Sequence, residues 1–430
     1  ASREGQGRPA GVLTQGPRHP DGRPAGEAPR AAEAPCGKEP GAREAPRGEA
    51  MKPSPRPSVQ KLAPYVPGRP IEEVEREYGI TGAVKLASNE NPLGPSPKGL
   101  AAAVAAAADV HLYPDGSGTL LRRALSARHD IPADQVVLGS GSCELIDICV
   151  RAFVDPGEEV VVPAGIFRMF PVAVGRAGGT FVEVPTGPGY RPDVHAMTRR
   201  VGPATKIVAI ANPNNPTGAY STKADLDQLF AALPGHVVVV VDEAYFEFAC
   251  ETPDYPDALD YVRAGRNVVV LRTFSKIYGL AGLRVGYAFA SPEIAAAMNK
   301  VREPFNTTGI GQAAALAALD DAGHRERTKA LVRQERPFLA AELARRGAVV
   351  NPSLGNFLLV ELPIPFGPLE PEFARRGVIL RPMGGWGFPL AFRVSVGTHA
   401  ENLRFLQAFD ELLAAGRLGL PAGAVSAAAG

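Results

Sequence analysis

Short apolar runs alternate with longer stretches rich in alanine and leucine through the middle of the chain. Four of these runs are apolar at every position: Val160–Val162, Ile207–Ala211, Val237–Val241 and Val268–Leu271. Strands buried on both faces have this composition, because neither face meets water. The pattern predicts an α/β fold in which a mostly parallel sheet lies between helices.

Polar clusters follow three of the predicted strands where each strand ends. Asn212 begins the segment NPNNPTG, Asp242 begins DEAY, and Arg272 begins RTFSK. In open parallel sheets, ligands bind beyond the carboxyl ends of the strands. We therefore expect the three clusters to line one crevice.

Lys276 closes the third of these clusters. Burial would lower its pKa toward the range in which a neutral amine attacks a carbonyl carbon, which suits a Schiff-base lysine. A single lysine at a strand end is more often a solvated surface charge. Thr273, Ser275 and Arg284 add two hydroxyls and a guanidinium that together match a phosphate dianion, although Arg284 alone also fits an ordinary salt bridge.

Asp242 ends a buried apolar run, where a carboxylate needs a positive partner. A protonated ring nitrogen of a cofactor would serve, and the ring would then act as an electron sink. Tyr245 and Asn215 are candidate donors to a phenolate oxygen on the same ring. The segment around Asn215 is equally consistent with a simple turn rich in Asn, Pro and Gly.

A glycine-rich loop precedes a stretch with helical spacing of apolar residues. Gly139, Gly141 and Ser142 come before Leu145 and Cys149. Free backbone N–H groups at such a helix start favour a phosphate, but glycine-rich turns before helices are common, so this loop is supporting evidence only. Further along, the ring of Phe167 fits either a planar cofactor or the core.

Composition narrows the class of function. At 430 residues, the chain has room for a large core and a second, smaller domain. Its 46 basic and 45 acidic residues give a net charge of +1, so nucleic acid and membrane surfaces are not expected partners. The four cysteines form no CxxC pair, which indicates no zinc site or disulfide framework and a reducing, cytoplasmic compartment. We expect small-molecule chemistry.

The ends of the chain differ in composition from its centre. Residues 1–52 are dominated by Pro, Gly, Ala, Arg and Glu, which predicts a disordered extension. One interpretation is that the folded protein begins at Met51. Residues 420–430 are predicted to form a flexible tail.

Seven segments in order resemble the histidinol-phosphate aminotransferase family of fold type I: KLASNENPLGPSP, YPDGSG, GSGSCE, NPNNPTG, DEAYFEF, TFSKIYGLAGLRVGY and FRVSVGT. The resemblance runs from about Pro53 to Gly419. It implies pyridoxal 5′-phosphate as the cofactor and a large domain, residues 89–305, with a seven-stranded, mostly parallel sheet. It also implies a smaller α+β domain made of residues 53–88 and 306–419, and a homodimer with shared active sites.

Roles carried over by matching position are implied by this resemblance. Lys276 resembles the Schiff-base lysine and proton shuttle, with Asp242, Tyr245, Asn215 and Phe167 as contacts to the ring. The phosphate contacts are implied to be Ser142, Cys143, Thr273, Ser275 and Arg284, together with Tyr113 from the partner subunit. The implied substrate contacts are Arg393, Arg381 and Asn91. Position 143 departs from the family pattern, which usually has Asp or Asn there.

The resemblance implies a ping-pong transamination from histidinol phosphate to 2-oxoglutarate in histidine biosynthesis. The segment PAGIFRMFP lacks the family's usual tyrosine, so an aromatic amino acid or a specialised metabolite stays open as the donor. A decarboxylase of the same fold is a further alternative. A cofactor-sensing regulator is disfavoured because residues 1–80 contain no basic recognition helix, and a dehydrogenase because no GxGxxG follows the first strand.

Overall fold

A computed structural model describes residues 53–60, 62 and 68–421 of the chain. The predicted disordered segment 1–52 lies outside the described residues, and so do residues 422–430 of the predicted tail. Within the described part, no helix combines the length and the apolar composition needed to cross a bilayer.

Fifteen α-helices lie in the described part of the chain: α1 Pro57–Gln60, α2 Ile71–Tyr78, α3 Pro97–Ala106, α4 Thr119–His129, α5 Gly141–Phe153, α6 Met169–Ala177, α7 Val194–Arg200, α8 Lys223–Ala232, α9 Phe246–Ala249, α10 Leu259–Arg263, α11 Pro292–Val301, α12 Gly309–Leu319, α13 Ala322–Arg345, α14 Glu370–Arg375 and α15 His399–Ala414.

The same residues form thirteen strands: β1 Val84–Lys85, β2 Val136–Gly139, β3 Glu159–Pro163, β4 Thr180–Val184, β5 Thr205–Ala211, β6 Val238–Asp242, β7 Val268–Thr273, β8 Gly286–Ala290, β9 Val349–Val350, β10 Phe357–Glu361, β11 Val378–Ile379, β12 Arg381–Pro382 and β13 Ala391–Ser395.

Seven of the strands form the large sheet, in the order β2-β8-β7-β6-β5-β3-β4. Strand β8 is antiparallel to both of its neighbours, whereas the pairs from β7 to β4 are parallel. The four apolar runs of the sequence coincide with β3, β5, β6 and β7. The predicted α/β fold with a mostly parallel, seven-stranded sheet is therefore confirmed.

Successive residues of the central strands belong to different hydrophobic cores, one on each face of the sheet. In β6, Val239 and Val241 pack into one core, and Val238 and Val240 pack into the other. Side chains alternate across a strand, so a strand covered on both faces must be apolar throughout. Polar side chains are consequently restricted to the strand ends.

The C-terminal part of the chain has a separate core beneath a small antiparallel sheet of order β12-β13-β10-β9. Aromatic rings dominate this core, as in the stack of Phe366 on Phe392, whose centroids are 4.5 Å apart. Near the N-terminus of the described region, β1 pairs in parallel with β11. Strand pairing thereby joins the segment before the large sheet to the C-terminal part of the chain.

The packing of α12 favours a domain boundary later in the chain than residue 306, where the resemblance implied it. Ala314 and Ala318 of α12 belong to the core of the large sheet, where the helix packs against Gly99 and Ala103 of α3. Small side chains allow this close approach, and they also leave α12 without the amphipathic pattern that would have identified its partner. We propose that the smaller domain begins after Leu319.

Candidate active site

A cavity of about 240 Å³ lies at the carboxyl ends of β5, β6 and β7. Because β8 runs antiparallel between β2 and β7, its first residue, Gly286, pairs with the last residues of both, Gly139 and Thr273. The loop into α5 therefore meets the same edge of the sheet. Twelve predicted site residues line the cavity: Ser142, Cys143, Phe167, Asn215, Asp242, Tyr245, Thr273, Ser275, Lys276, Arg284, Arg381 and Arg393.

Two predicted site residues do not line this cavity. Tyr113 is 84% exposed, and its ring stacks on Phe305 with centroids 4.8 Å apart. The side chain of Asn91 turns behind the cavity and donates to the main-chain oxygens of Lys276, at 3.3 Å, and Ile277, at 3.0 Å. The role of Asn91 as a substrate contact stays a prediction; in this structure its amide is engaged by the loop that carries the lysine.

The amine of Lys276 projects into the cavity, where main-chain oxygens hold it. Its Nζ donates to the carbonyl oxygens of Ser88 and Asn89, at 3.2 and 3.1 Å. Burial, helped by the positive charge of Arg393, lowers the pKa of Lys276 to about 8. A minor fraction of the amine is then uncharged near neutral pH, and the uncharged form is the one that a nucleophile and a general base require.

Asp242 is buried at the end of β6 with little to compensate its charge. In the described structure its carboxylate accepts one hydrogen bond, from the N–H of Ala244 at 3.1 Å. Burial raises the pKa of Asp242 to about 7, against the opposing effects of that N–H and of Lys276. A cationic group in the cavity would stabilise the charged carboxylate, and a protonated ring nitrogen meets this need.

Two neutral polar side chains complete the wall beside these charges. Tyr245 accepts a hydrogen bond on its Oη from Asn89 Nδ2 at 2.9 Å, and burial raises its pKa to about 12, so the hydroxyl keeps its hydrogen. Asn215 Oδ1 accepts from Arg393 Nη1 at 2.5 Å. With the oxygen of Asn215 engaged, its Nδ2 is the group that remains to donate.

The start of α5 and the loop after β7 form an anion cradle at one end of the cavity. Ser140 provides no side-chain cap for α5, so the first N–H groups of the helix are left for a ligand. Thr273 Oγ1 lies 3.0 Å from Ser275 Oγ, and Arg284 Nη1 lies 3.4 Å from the same oxygen. Two hydroxyls, a guanidinium and free amides match a phosphate group.

Cys143 lies in the first turn of α5, beside this cradle. Burial raises the pKa of its thiol, so the side chain is neutral at physiological pH. A thiol at this position accordingly adds no negative charge near a bound phosphate.

The small antiparallel sheet contributes further residues to the cavity. Arg381 and Arg393 are register partners on β12 and β13, and both guanidinium groups reach the cavity. Phe167 lies 6.0 Å from the ring of Trp386, measured between centroids. A partly aromatic cavity lined by the anion cradle and by two further arginines fits a planar phosphorylated cofactor and an anionic substrate.

Ten lining residues were not predicted from the sequence, and four of them have polar or aromatic side chains: Ser88, Asn89, Glu90 and Trp386. The first three belong to the segment KLASNENPLGPSP, in which the resemblance implies a role only for Asn91. Trp386 is the single tryptophan of the chain, but it lies in a glycine-rich loop without a periodic pattern. No local signal distinguishes these positions from their neighbours.

Comparisons with known proteins agree with this geometry. The family model "Aminotransferase class I and II" matches residues 81–409. A histidinol-phosphate aminotransferase of Anaeromyxobacter sp. is 50% identical over 360 residues, covering 84% of this chain and 99% of its own. Histidinol-phosphate aminotransferase 2 of Methylococcus capsulatus is 46% identical over 362 residues, covering 83% and 97%. The crystal structure of histidinol-phosphate aminotransferase from Sinorhizobium meliloti in complex with pyridoxal-5′-phosphate superposes with a TM-score of 0.76 at 30% identity, covering 84% and 99%.

Gly286→Ala should damage the anion cradle. The added Cβ would lie 2.6 Å from the carbonyl carbon of Gly141 and 2.7 Å from the nitrogen of Ser142, so the start of α5 must shift. We expect a loss of about 1–3 kcal/mol in total from the free energy of unfolding and the free energy of binding pyridoxal phosphate. Thermal unfolding with and without the cofactor, and a cofactor titration, measure it.

Gly282→Ala is the matched control, because a Cβ at Gly282 meets nothing within 4 Å. An unchanged cofactor affinity and melting temperature in Gly286→Ala would contradict the close packing of β8 on α5.

Proposed function

The chain belongs to the class I and II aminotransferases, and we propose that it transfers the amino group of histidinol phosphate to 2-oxoglutarate. The observation that carries this choice is the pair of guanidinium groups, Arg381 and Arg393, in the cavity that holds Lys276. One substrate of this pair carries a phosphate and the other carries two carboxylates. Guanidinium groups bind both kinds of anion through paired hydrogen bonds.

The cofactor of this family is pyridoxal 5′-phosphate, and the residues of the cavity fit it. We propose that its phosphate lies against the start of α5, Thr273, Ser275 and Arg284. Asp242 would carry the countercharge for the ring nitrogen, and Phe167 would cover a ring face. Tyr245 and Asn215 would donate to the ring oxygen. Support comes from the raised pKa of Asp242 and the hydrogen-bond partners of the two donors.

Lys276 is proposed as the residue that binds the cofactor covalently and moves the proton. When bound, pyridoxal phosphate supplies an electron sink for the charge left as a Cα–H bond breaks. The pKa of about 8 keeps part of the Lys276 amine uncharged near neutral pH, and that form accepts a proton. Two carbonyl oxygens hold the amine at a defined place in the cavity.

We propose that two copies of the chain form a homodimer with shared active sites. Leu100 and Val104 lie four residues apart on the outer face of α3, and Val104 is 68% exposed. Leu120 of α4 and the stacked pair of Tyr113 and Phe305 are exposed as well. Exposed apolar side chains on one part of a surface mark an interface, and a second copy would cover them. Tyr113 would then reach the partner's phosphate cradle.

A cytoplasmic location is proposed on the cysteine chemistry. The three cysteines in the described residues, Cys143, Cys149 and Cys250, are all free thiols. Free thiols persist in a reducing compartment.

Lys276→Ala should abolish turnover. Loss of the positioned base removes about 10²–10⁴-fold in rate, and loss of the covalent attachment adds to this. Turnover and the visible absorbance of the purified protein with added cofactor are the measurements. Lys300→Ala, at an exposed position on α11, is the control and should behave as the wild type. A Lys276→Ala protein with wild-type absorbance and rate would contradict the role proposed for Lys276.

Histidinol phosphate should have the highest kcat/KM in a comparison with histidinol, phenylalanine and tyrosine as donors. Arg381→Gln should reduce the preference for histidinol phosphate over histidinol by about 10–100-fold, because a charge-assisted contact to phosphate is lost. Arg199→Gln, exposed on α7, serves as the control. Equal rates for phenylalanine would favour an aromatic aminotransferase, and carbon dioxide release would favour a decarboxylase.

Val104→Glu should dissociate the proposed dimer, since the substitution places a charge in the apolar patch. Sedimentation or light scattering gives the mass, and the activity should fall together with the dimer fraction. Leu403→Glu is the control, because Leu403 is an exposed leucine on α15, outside the patch. A monomeric wild type, or a variant that stays dimeric at low micromolar concentration, would refute the interface.

A further inference from the structure

Asn89 connects the catalytic groups of the cavity to the small sheet. It is buried in the loop after β1 and has a left-handed backbone with φ of 54°. Its main-chain N–H donates to Ser395 Oγ at 2.8 Å, and its Nδ2 donates to Tyr245 Oη at 2.9 Å. Its main-chain oxygen accepts from Lys276 Nζ at 3.1 Å. One residue thus contacts Tyr245, Lys276 and the strand that carries Arg393.

The serine on β13 sets the orientation of the Asn89 amide. Ser395 Oγ accepts the main-chain N–H of Asn89 and donates its own hydrogen to Asn89 Oδ1 at 3.1 Å. With Oδ1 engaged by Ser395, the Nδ2 group of Asn89 points at Tyr245. An amide nitrogen donates and cannot accept.

The hydrogen of the Tyr245 hydroxyl must therefore point elsewhere. A phenol has one hydrogen to donate, and the side of Oη that faces Asn89 is occupied by an incoming N–H. Tyr245 lines the cavity, so the direction left for its O–H is toward a ligand there. If the amide were turned over, Asn89 Oδ1 would take the hydrogen of Tyr245 and leave the cavity without it.

The same loop also directs the amine of Lys276. The carbonyl oxygens of Ser88 and Asn89 can only accept, so each engages a hydrogen of Nζ. An uncharged amine has two hydrogens, and with both engaged its lone pair points away from the loop. The loop thereby presents the basic side of Lys276 to the cavity.

We propose that Asn89 is a positioning residue that directs the hydroxyl hydrogen of Tyr245 into the cofactor cavity. The inference rests on the proposed function, because it needs pyridoxal phosphate to receive that hydrogen. It assigns to Asn89 an effect on the reaction that passes through Tyr245 and involves no contact of its own with the substrate.

The test uses Asn89→Gly and Asn89→Asp, each in the wild-type and in the Tyr245→Phe background. Glycine tolerates the left-handed backbone, so the main-chain contact to Lys276 is kept while the side chain is removed. Aspartate also tolerates this backbone, but its oxygens only accept and would take the hydrogen of Tyr245. Asp130→Gly controls for a left-handed residue replaced by glycine far from the cavity, since Asp130 has φ of 52° and is exposed at the end of α4.

The main measurement is the midpoint pH of the change in visible absorbance of the bound cofactor. Removing a donor from the anionic ring oxygen makes the site hold its proton to higher pH. Asn89→Asp should raise the midpoint by about one pH unit and lower kcat by about tenfold, the size of one hydrogen bond, because its carboxylate takes the hydrogen of Tyr245. Asn89→Gly should raise the midpoint by less, because the Tyr245 hydroxyl then loses only the N–H that fixes its direction. The other charged or titratable groups near Tyr245 and Lys276 are the same in all variants: Asp242, Arg393, Cys143, Arg284 and Glu90.

In the Tyr245→Phe background the midpoint shift from Asn89→Gly should vanish, and that from Asn89→Asp should shrink to the effect of its added charge. Equal shifts in both backgrounds, or no shift from Asn89→Gly while Tyr245→Phe gives one, would overturn the proposal for Asn89 and leave the proposed function intact. No shift from Tyr245→Phe itself would overturn this proposal together with the role of Tyr245. Failure of Lys276→Ala to lose turnover would instead refute the proposed function.

Discussion

Burying a strand on both faces excludes polar side chains from its middle, so the polar site residues of β6 and β7 lie where these strands end, and those of the β5 segment follow the strand from Asn212 onward. Parallel strands end at one edge of the sheet, and this concentrates the polar residues of three distant segments there. The antiparallel β8 adds the start of α5 to the same edge, because Gly286 pairs with both Gly139 and Thr273. The anion cradle and the cavity beside it are consequences of this arrangement.

The charges collected at this edge are poorly compensated within the protein itself. Among the residues that the structure describes, the buried Asp242 carboxylate accepts a single hydrogen bond, and Lys276 is buried near Arg393. Burial moves the pKa values of both groups toward neutrality, which costs stability but gives groups that exchange protons near physiological pH. A cofactor with a cationic ring nitrogen and an anionic phosphate would compensate both ends of the cavity. The charged groups of the site are thus arranged for a ligand that carries the opposite charges.

The small antiparallel sheet supplies two arginines to the cavity and also contacts other residues that line it. Arg381 and Arg393 lie on β12 and β13, and Ser395 on the same sheet orients Asn89. Arg393 additionally holds Asn215 through its side-chain oxygen. A movement of this sheet would displace Asn89, which contacts Tyr245. It would also displace Asn215, the proposed donor to the cofactor ring.

Sequence patterns were sufficient to predict the four buried strands and the polar clusters that follow them, because a strand buried on both faces is a continuous run of apolar residues. The positions of Lys276, Asp242 and Asn215 follow from those strand ends. The tertiary structure alone decided that α12 packs on the large sheet and that Trp386 reaches the cavity. It also decided that Asn89 faces Tyr245 while Asn91 turns behind Lys276. These outcomes depend on contacts between distant segments, such as that of Asn89 with Ser395, 306 positions away. Two asparagines in one short loop have the same chemistry, and only the backbone conformation and the distant partner determine which of them faces the cavity.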